Sequence, residues 1–444
     1  MSFSSIYVGL SGVNANANEL SVVGSNIANM NTVAFKSSRA RFADLVRNAL
    51  GGGKTDSVGS GVKALAPQLS FVQGAMRESS NPMDWAIDGN GFFVVKNKAG
   101  ENYYTRDGQF RLDVMNSTTY RVANAGGEVL QGYTADSKGA IGTQFADLTL
   151  PAVLAAKATT TSSLRVNLEA SAPIRAATFN PLDSSTYNYS ASQIIYDSRT
   201  SVTDVSHTLV TYFAKTADNT WQTYFQVDGG TVATGGQLVF DKTGKLTSGT
   251  TQTASLTIPI TPPVTVPPTA PSTLTQSIAV DMTGTTQYGG PSLLLSQQQD
   301  GYNRGTLQSI SLTDTGVMMG RYSNQVPQTV GQLGLAAFMA PLDLTQDGAG
   351  RFSASDKSGP ATIVMPGPAS STSTTSTTST TTSTTSKASS LSVGVVRSNM
   401  LEQSNVNLSE DFMNVIIAQR AFEANSKVIM TADAIVQVIE NLKR

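Results

Sequence analysis

Both ends of this chain carry the same apolar period, and the middle does not. In residues 3 to 27, Phe3, Leu10, Ala17 and Gly24 fall seven apart, as do Ile6, Val13, Leu20 and Ile27. Near the C-terminus Leu408, Val415, Phe422, Ile429 and Val436 are seven apart, with Ala418, Ala432 and Ile439 three residues beyond their partners. A 3.5-residue period is the mark of a coiled-coil seam. The two ends are therefore expected to fold back on each other and also to face neighbouring molecules. The expected first helix runs from Phe3 to Met30 and is rich in Gly9, Gly12, Ala15, Gly24, Asn14, Asn16 and Asn18. Gly and Asn are poor helix formers, so this helix is expected to order only when packed. A buried core helix of a monomer is the competing reading. The second helix is expected from Asn407, a candidate N-cap with Glu410 three residues on, to Leu442.

Between the ends the pattern changes twice. Residues 31 to 70 lose the period, and Gly51, Gly52, Gly53, Gly59 and Gly61 read as a flexible or extended connector. From Phe71 to Val364 the chain is strand-like, with turns at Asp88-Gly89-Asn90-Gly91, Asp107-Gly108 and Asp228-Gly229. Residues 146 to 289 read as a separate module, ending near a Pro/Thr cluster from Pro259 to Pro271. Ser370 to Ser386 is an unbroken Ser/Thr run that cannot bury apolar surface, so it reads as a solvated linker. The expected fold class is α+β: terminal helices forming a coiled-coil-like domain, with two mostly-β domains inserted between them. The expected divisions are 1–30 with 400–444 (helical), 31–70 with 365–399 (connectors), 71–145 with 290–364 (β-domain) and 146–289 (outer module).

Composition narrows the function classes. With 30 Lys and Arg against 31 Asp and Glu the net charge is −1, which gives no footprint for nucleic acid. Charged residues make up only 14 % of 444, a composition suited to a secreted or assembling β-rich protein. The sequence has no Cys and a single His, His207. Disulfides, thiolate metal sites, multi-histidine metal sites and a Cys nucleophile are thereby excluded. No apolar run is long enough to insert in a membrane, and no standard signal peptide is visible. A Ser-His-Asp hydrolase would have to use His207, which sits in a strand-like run without a Gly-x-Ser-x-Gly elbow. A structural histidine is the expected reading. Asp84 to Gly91 lacks the terminal Glu of a calcium loop and reads as a turn. Paired carboxylates acting on a glycan, or an adhesin role for 146–289, stay open at this level. No cofactor, metal or catalytic residue is expected.

Particular residues then resemble a known family. Ser25-Asn-Ile-Ala-Asn-Met-Asn-Thr-Val-Ala-Phe-Lys36 resembles the N-terminal signature of the bacterial flagellar axial proteins, the rod, hook and hook-associated proteins. Its matching positions here are Asn26, Asn29, Asn31, Thr32, Phe35 and Lys36. Residues 404–409 and 418–429, with Gln419, Arg420 and Asn425, resemble the C-terminal signature. Residues 84–95, 104–110, 320–324 and 331–336 resemble parts of the family's β-domain. Ala34 and Gln325 stand where the family usually has Gly, and Asn407 where it usually has Asp. The order of motifs and the large middle module resemble hook members; the shorter distal rod proteins are the alternative.

The resemblance implies a self-assembling subunit of a curved helical tube that transmits motor torque as a universal joint. It implies further copies of itself as partners, rod and hook-filament junction proteins at the ends, a hook cap during assembly, and the flagellar type III export apparatus. It also implies an extracellular location in the flagellum, reached without a cleaved leader. The terminal heptad residues would carry assembly, and the Gly51–Gly61 connector and middle module would permit sliding. Gly24 and Asn425, poor seam residues for a dimeric coiled coil, would mark packing shared among several subunits.

Overall fold

The computed structural model describes residues 2–48, 57–136, 139–175, 178–197, 206–259, 273–367 and 393–442. They are mostly β, with one helix at each end: α1 (Ser2–Ala28) and α2 (Leu408–Leu442). Asn407 caps α2 through its carbonyl, which accepts from Asp411 N at 2.9 Å, and its side chain, 3.5 Å from Glu410 N. The chain divides into two compact units: unit 1, residues 1–151, 309–321 and 327–444, and unit 2, residues 152–308 and 322–326.

In unit 1 the helices run antiparallel. Gly9 lies against Ile429 and Gly12 against Asn425, while Asn26 bonds to Asp411. The described residues of the segment read as a connector include two paired strands. Strands β1 (Ser38–Asn48) and β2 (Ser57–Leu69) pair antiparallel, and both pack on α1. Gly59 and Gly61 therefore sit in a strand; Gly51, Gly52 and Gly53 lie outside the described residues. Gly61 has φ +107°, and a Cβ there would stand 2.2 Å from Ser11 Oγ, the atom that accepts from Val62 N at 3.1 Å. Glycine at 61 thus permits a close contact with α1, and the expectation of a flexible joint at Gly61 is corrected.

The β body of unit 1 centres on Phe92–Lys96, paired with Asn102–Thr105, Val129–Ala135 and Leu335–Ala337. Phe71, Phe92, Phe338, Phe352 and Tyr104 pack edge to face around it. Two short strands return from the far end of the chain. Val395–Ser398 pairs with Trp85–Asp88, and Met400–Glu402 pairs with Met76–Glu78. Residues 395–399, expected in the second connector, thus belong to the body because Val396 is fully buried there.

Unit 2 is built from two facing sheets. One runs Tyr189–Tyr196, Ser206–Ala217, Thr220–Val227, Val232–Phe240 and Leu246–Ser248. The other is centred on Thr161–Glu169, which pairs with Thr273–Asp281, Thr286–Tyr288 and Leu293–Gln299. Trp221, Phe213, Phe225, Leu164, Val166 and Ile278 fill the space between them. Leu293–Gln299 therefore belongs to this unit, beyond the expected boundary at 289. The Pro-rich stretch does not end the module either. Thr251–Pro259 and Thr273–Asp281, on either side of it, pair antiparallel; Pro262 to Pro271 lie outside the described residues, as does the Ser/Thr run. The expected Asp228-Gly229 turn has both residues at positive φ, 47° and 72°, which is the type I′ hairpin geometry.

Candidate assembly interface and its buried clasp

Which faces of the helices are used inside the subunit follows from residue size. On α2, Leu408, Val415, Ile429 and Val436 are half-buried and Ala418 and Ala432 are buried, so these positions face α1. Phe422 is more exposed, at 37 %. On α1 the buried positions are Gly9, Ala15, Val23 and Asn26. Ile6, Val13, Leu20 and Ile27 are half-buried, whereas Leu10, Ala17 and Gly24 are exposed. The side chains of Phe3 and Ile439 lie outside the described ones. A Cβ on Gly12 would meet the Asn425 side chain at 2.7 Å. Asn425 thus packs within the subunit and corrects the reading of it as an intersubunit mark; its amide is satisfied by Ala421 O at 3.0 Å. Nothing described lies within 4 Å of a Cβ on Gly24.

Large apolar residues are left on the outside. Tyr7, Phe412, Met413, Ile416, Ile417, Met430, Ile435 and Val438 are each more than half exposed, and Leu10 nearly so. Isolated exposed apolar residues are ordinary on proteins, but a cluster of this size marks an interaction surface. Gln419 and Arg420 are exposed on α2, with Arg420 Nη1 3.3 Å from Glu423 Oε2.

The signature residues after α1 form a clasp. Asn26 donates to Ser38 O at 2.8 Å and accepts from Ser38 N at 2.9 Å, anchoring β1 to the helix end. Asn29 donates to Ser25 O and accepts from Thr32 Oγ1, which shapes the exit from α1 beside the exposed Asn31. Phe35 O accepts from Asn405 N at 3.3 Å. Asn405 in turn accepts from Ser37 N at 2.7 Å and donates to Ser70 O and Val72 O. Ala34 adopts φ +56°, the left-handed region that explains glycine in the family pattern, and its N–H donates to Glu402 O at 2.8 Å.

Lys36 is the centre of this arrangement. Its Nζ lies 2.6 Å from Glu402 Oε1 and 2.9 Å from Val72 O, and neither charged side chain is exposed. Arg106 Nη1 approaches Glu402 Oε2 at 3.4 Å, Nη2 donates to Gly89 O at 2.8 Å, and the guanidinium lies 5.4 Å from the Phe92 ring centroid. Burial pushes the Lys36 ammonium and the Arg106 guanidinium below their ordinary values, and Glu402 opposes that shift in both. Sequence reasoning missed Glu402. A lysine inside a signature invites a counter-charge, but nothing local selects one among 31 carboxylates.

His207 lies in unit 2, with Nδ1 2.6 Å from Asp228 Oδ2 and Nε2 3.3 Å from Asp197 Oδ2, tying strand ends together.

Comparison with known proteins agrees with this layout. Residues 6–36 match the flagella basal body rod protein family, and residues 397–442 the flagellar basal body rod FlgEFG protein C-terminal family. Residues 86–167 match the flagellar hook protein FlgE/F/G D1 domain, and residues 167–302 the flagellar basal body protein FlaE D2 domain. The chain is 33 % identical to the flagellar hook protein FlgE of Escherichia coli (strain K12), covering 98 % of each. It is 32 % identical to FlgE of Salmonella typhimurium over 100 % of each chain, and 29 % identical to FlgE of Borreliella burgdorferi over 99 % of each. These matches run through the middle module as well as the shared ends, and they do not favour the distal rod alternative. The chain belongs to the flagellar hook protein FlgE family and is a structural subunit of the flagellar hook.

Proposed function

We propose that this hook subunit polymerises through the outward faces of α1 and α2, which form the inner wall of the tube. The carrying observation is the band of large exposed apolar side chains on both helices, opposite the small residues that join them. Contacts between unlike faces of identical subunits propagate as a helical polymer when their rotation does not close into a ring. Leu408, Val415, Ile429 and Val436, with Ala418 and Ala432, supply the coiled-coil-like seam on the inward side. Marginal helices that gain their packing from neighbours would order fully on assembly, so protease should attack the termini of the monomer first.

In this reading the helical ends (1–30 with 400–444) line the channel of the tube. The tube acts as a universal joint, bending as it transmits torque. Neutral polar outer surfaces suit sliding, since strong ion pairs or apolar patches would hold one register. The partners in this reading are the rod and hook-filament junction proteins at the tube's ends, a cap during growth, and the type III apparatus that exports the chain to the outside. The role is structural, and no reaction is assigned to it.

Electron microscopy of the purified chain under assembly conditions tests this. Short curved tubes are expected, and straight rods would favour a drive-shaft role. Ile416→Glu with Ile435→Glu should leave the protein monomeric without altering Trp85 fluorescence. Normal tubes from that double variant would refute the assignment of the interface.

A further inference from the structure

Unit 2 completes its sheets from residues 161–299 alone. Unit 1 does not. Its body takes Val395–Ser398 and Met400–Glu402 from the end of the chain, with Val396 and Leu401 buried. Glu402 also faces two cations that arrive much earlier in the chain, Lys36 at 2.6 Å and Arg106 at 3.4 Å. Lys36 is 1 % exposed and Arg106 3 %. Gly74 N adds a third bond to Glu402 Oε1 at 2.9 Å. Without this carboxylate the body would have to enclose two cations with no counter-charge among the described residues. Such enclosure is strongly unfavourable, far more so than the bond itself is favourable.

We propose that Glu402 is a completion lock: the body of unit 1 cannot close over Lys36 and Arg106 until the C-terminal arm, residues 393–442, delivers the counter-charge. Unit 2 folds independently of it. A chain lacking its end keeps its N-terminal signature open, so the assembling helix pair is presented only by complete chains. The lock rests on the contacts of unit 1 and holds whether or not the outward helix faces are the assembly surface.

Pulsed hydrogen exchange during refolding of the full chain tests this. The informative amides are those of Phe92–Lys96 and Asn102–Thr105, which bond to each other and not to the arm. In the natural protein they should gain protection in one phase with residues 395–402, after Leu209–Phe213 and Trp221–Val227 of unit 2. Glu402→Gln keeps the shape and an acceptor for Gly74 N but removes the charge. It should slow the unit 1 phase at least tenfold and leave the unit 2 phase unchanged. The triple variant Lys36→Met, Arg106→Met, Glu402→Leu carries no charge at the clasp, so the 92–105 amides should become protected before the arm docks. Protection of 92–105 ahead of 395–402 in the natural protein would overturn the lock. So would an unchanged unit 1 phase in Glu402→Gln, or persistent coupling in the triple variant that lacks the clasp charges.

Discussion

Replacing Gly74 by Ala should open the clasp, and the structure sets the size of the effect. A Cβ at 74 would stand 2.0 Å from Gln403 O and 3.0 Å from Gln403 C. Both neighbours are backbone, so no side-chain rotation relieves the clash. An ordinary carbon–oxygen contact needs about 3.3 Å, which demands a retreat of residues 402–404 by about 1.3 Å. Gly74 N to Glu402 Oε1 is 2.9 Å and Gln403 N to Ala75 O is 2.8 Å. That displacement takes both beyond bonding distance. A bond to a charged group is worth about 1.5–3 kcal/mol and a neutral backbone bond about 1. Reduced freedom of the unfolded chain returns about 0.4–1 kcal/mol, leaving a net loss of about 2–3 kcal/mol. The protein's two tryptophans allow the loss to be located, since Trp85 is fully buried in unit 1 and Trp221 fully buried in unit 2. In a Trp221→Phe background, Trp85 fluorescence in urea should show a midpoint lower by about 1–2 M, taking a slope of about 1–3 kcal/mol/M. The Trp221 transition in a Trp85→Phe background should not move. A Trp85 midpoint shifted by less than about 0.3 M, well under the smallest shift expected from that slope, would refute the claim that residues 402–404 are held rigidly against residue 74.

Three further outcomes follow from single positions. Gly24→Ala should raise α1 stability in the monomer by about 1 kcal/mol, since nothing described opposes the methyl, and circular dichroism of the monomer measures it. If α1 presents Gly24 to a neighbour, the critical concentration for tube formation should rise at the same time; a fall would show that position to be free in the polymer. Burial raises the Asp411 carboxyl, against the Asn26 bond. A carboxyl raised in the folded state binds its proton more tightly there, so its contribution to stability falls as pH rises from the unfolded value, about 3.9, through the folded one. Asp411→Asn removes that slope. Its stability relative to the natural protein should therefore be highest near pH 7 and decline toward pH 4 in urea titrations. Gln325 is exposed at φ +62°, and Gln325→Gly should stabilise unit 2 by about 0.5–1 kcal/mol, read from Trp221.

The sequence made the helices legible and their faces less so. Heptads at both ends located α1 and α2 to within a few residues, and Asn407 marked the start of α2 because capping is local chemistry. The inward face of α1 was not legible, since Gly9 and Gly12 act by allowing approach and carry no apolar signal of their own. The pairing of Ser38–Asn48 with Ser57–Leu69 is not legible for a related reason. Gly59 and Gly61 read as flexibility, whereas Gly61 permits a contact with Ser11 that only the folded structure reveals. Glu402 and the strand Leu293–Gln299 are long-range matters, each defined by a partner over a hundred residues away. Ala34 shows the limit of motif reading. Its left-handed backbone favours glycine, but its methyl is buried, and burying one carbon is worth about 0.8 kcal/mol. Strain and burial nearly offset, and the departure from the family pattern is tolerated.

The helix pair leaves a large apolar set on its outside while Gly9, Gly12, Ala418 and Ala432 let the two helices approach closely, and on the proposed interface the energetics of that outward set favour a polymer over a dimer. Each half-exposed Ile, Met, Phe or Val would gain about 1 kcal/mol on full burial. The outward set on α1 and α2 is therefore worth about 7–13 kcal/mol if all of it is covered. One neighbour, seated on one side of a helical pair, can cover only part of it. Association itself costs about 4–15 kcal/mol in lost translational and rotational freedom. A pair of subunits is thus marginal, whereas a subunit entering a site lined by several neighbours meets that cost once and buries the whole set. Growth at a formed end is favourable where spontaneous pairing in solution is not. On the proposed interface, the slow step in assembling tubes from purified chain is therefore the first multi-subunit nucleus, and later subunits add more readily.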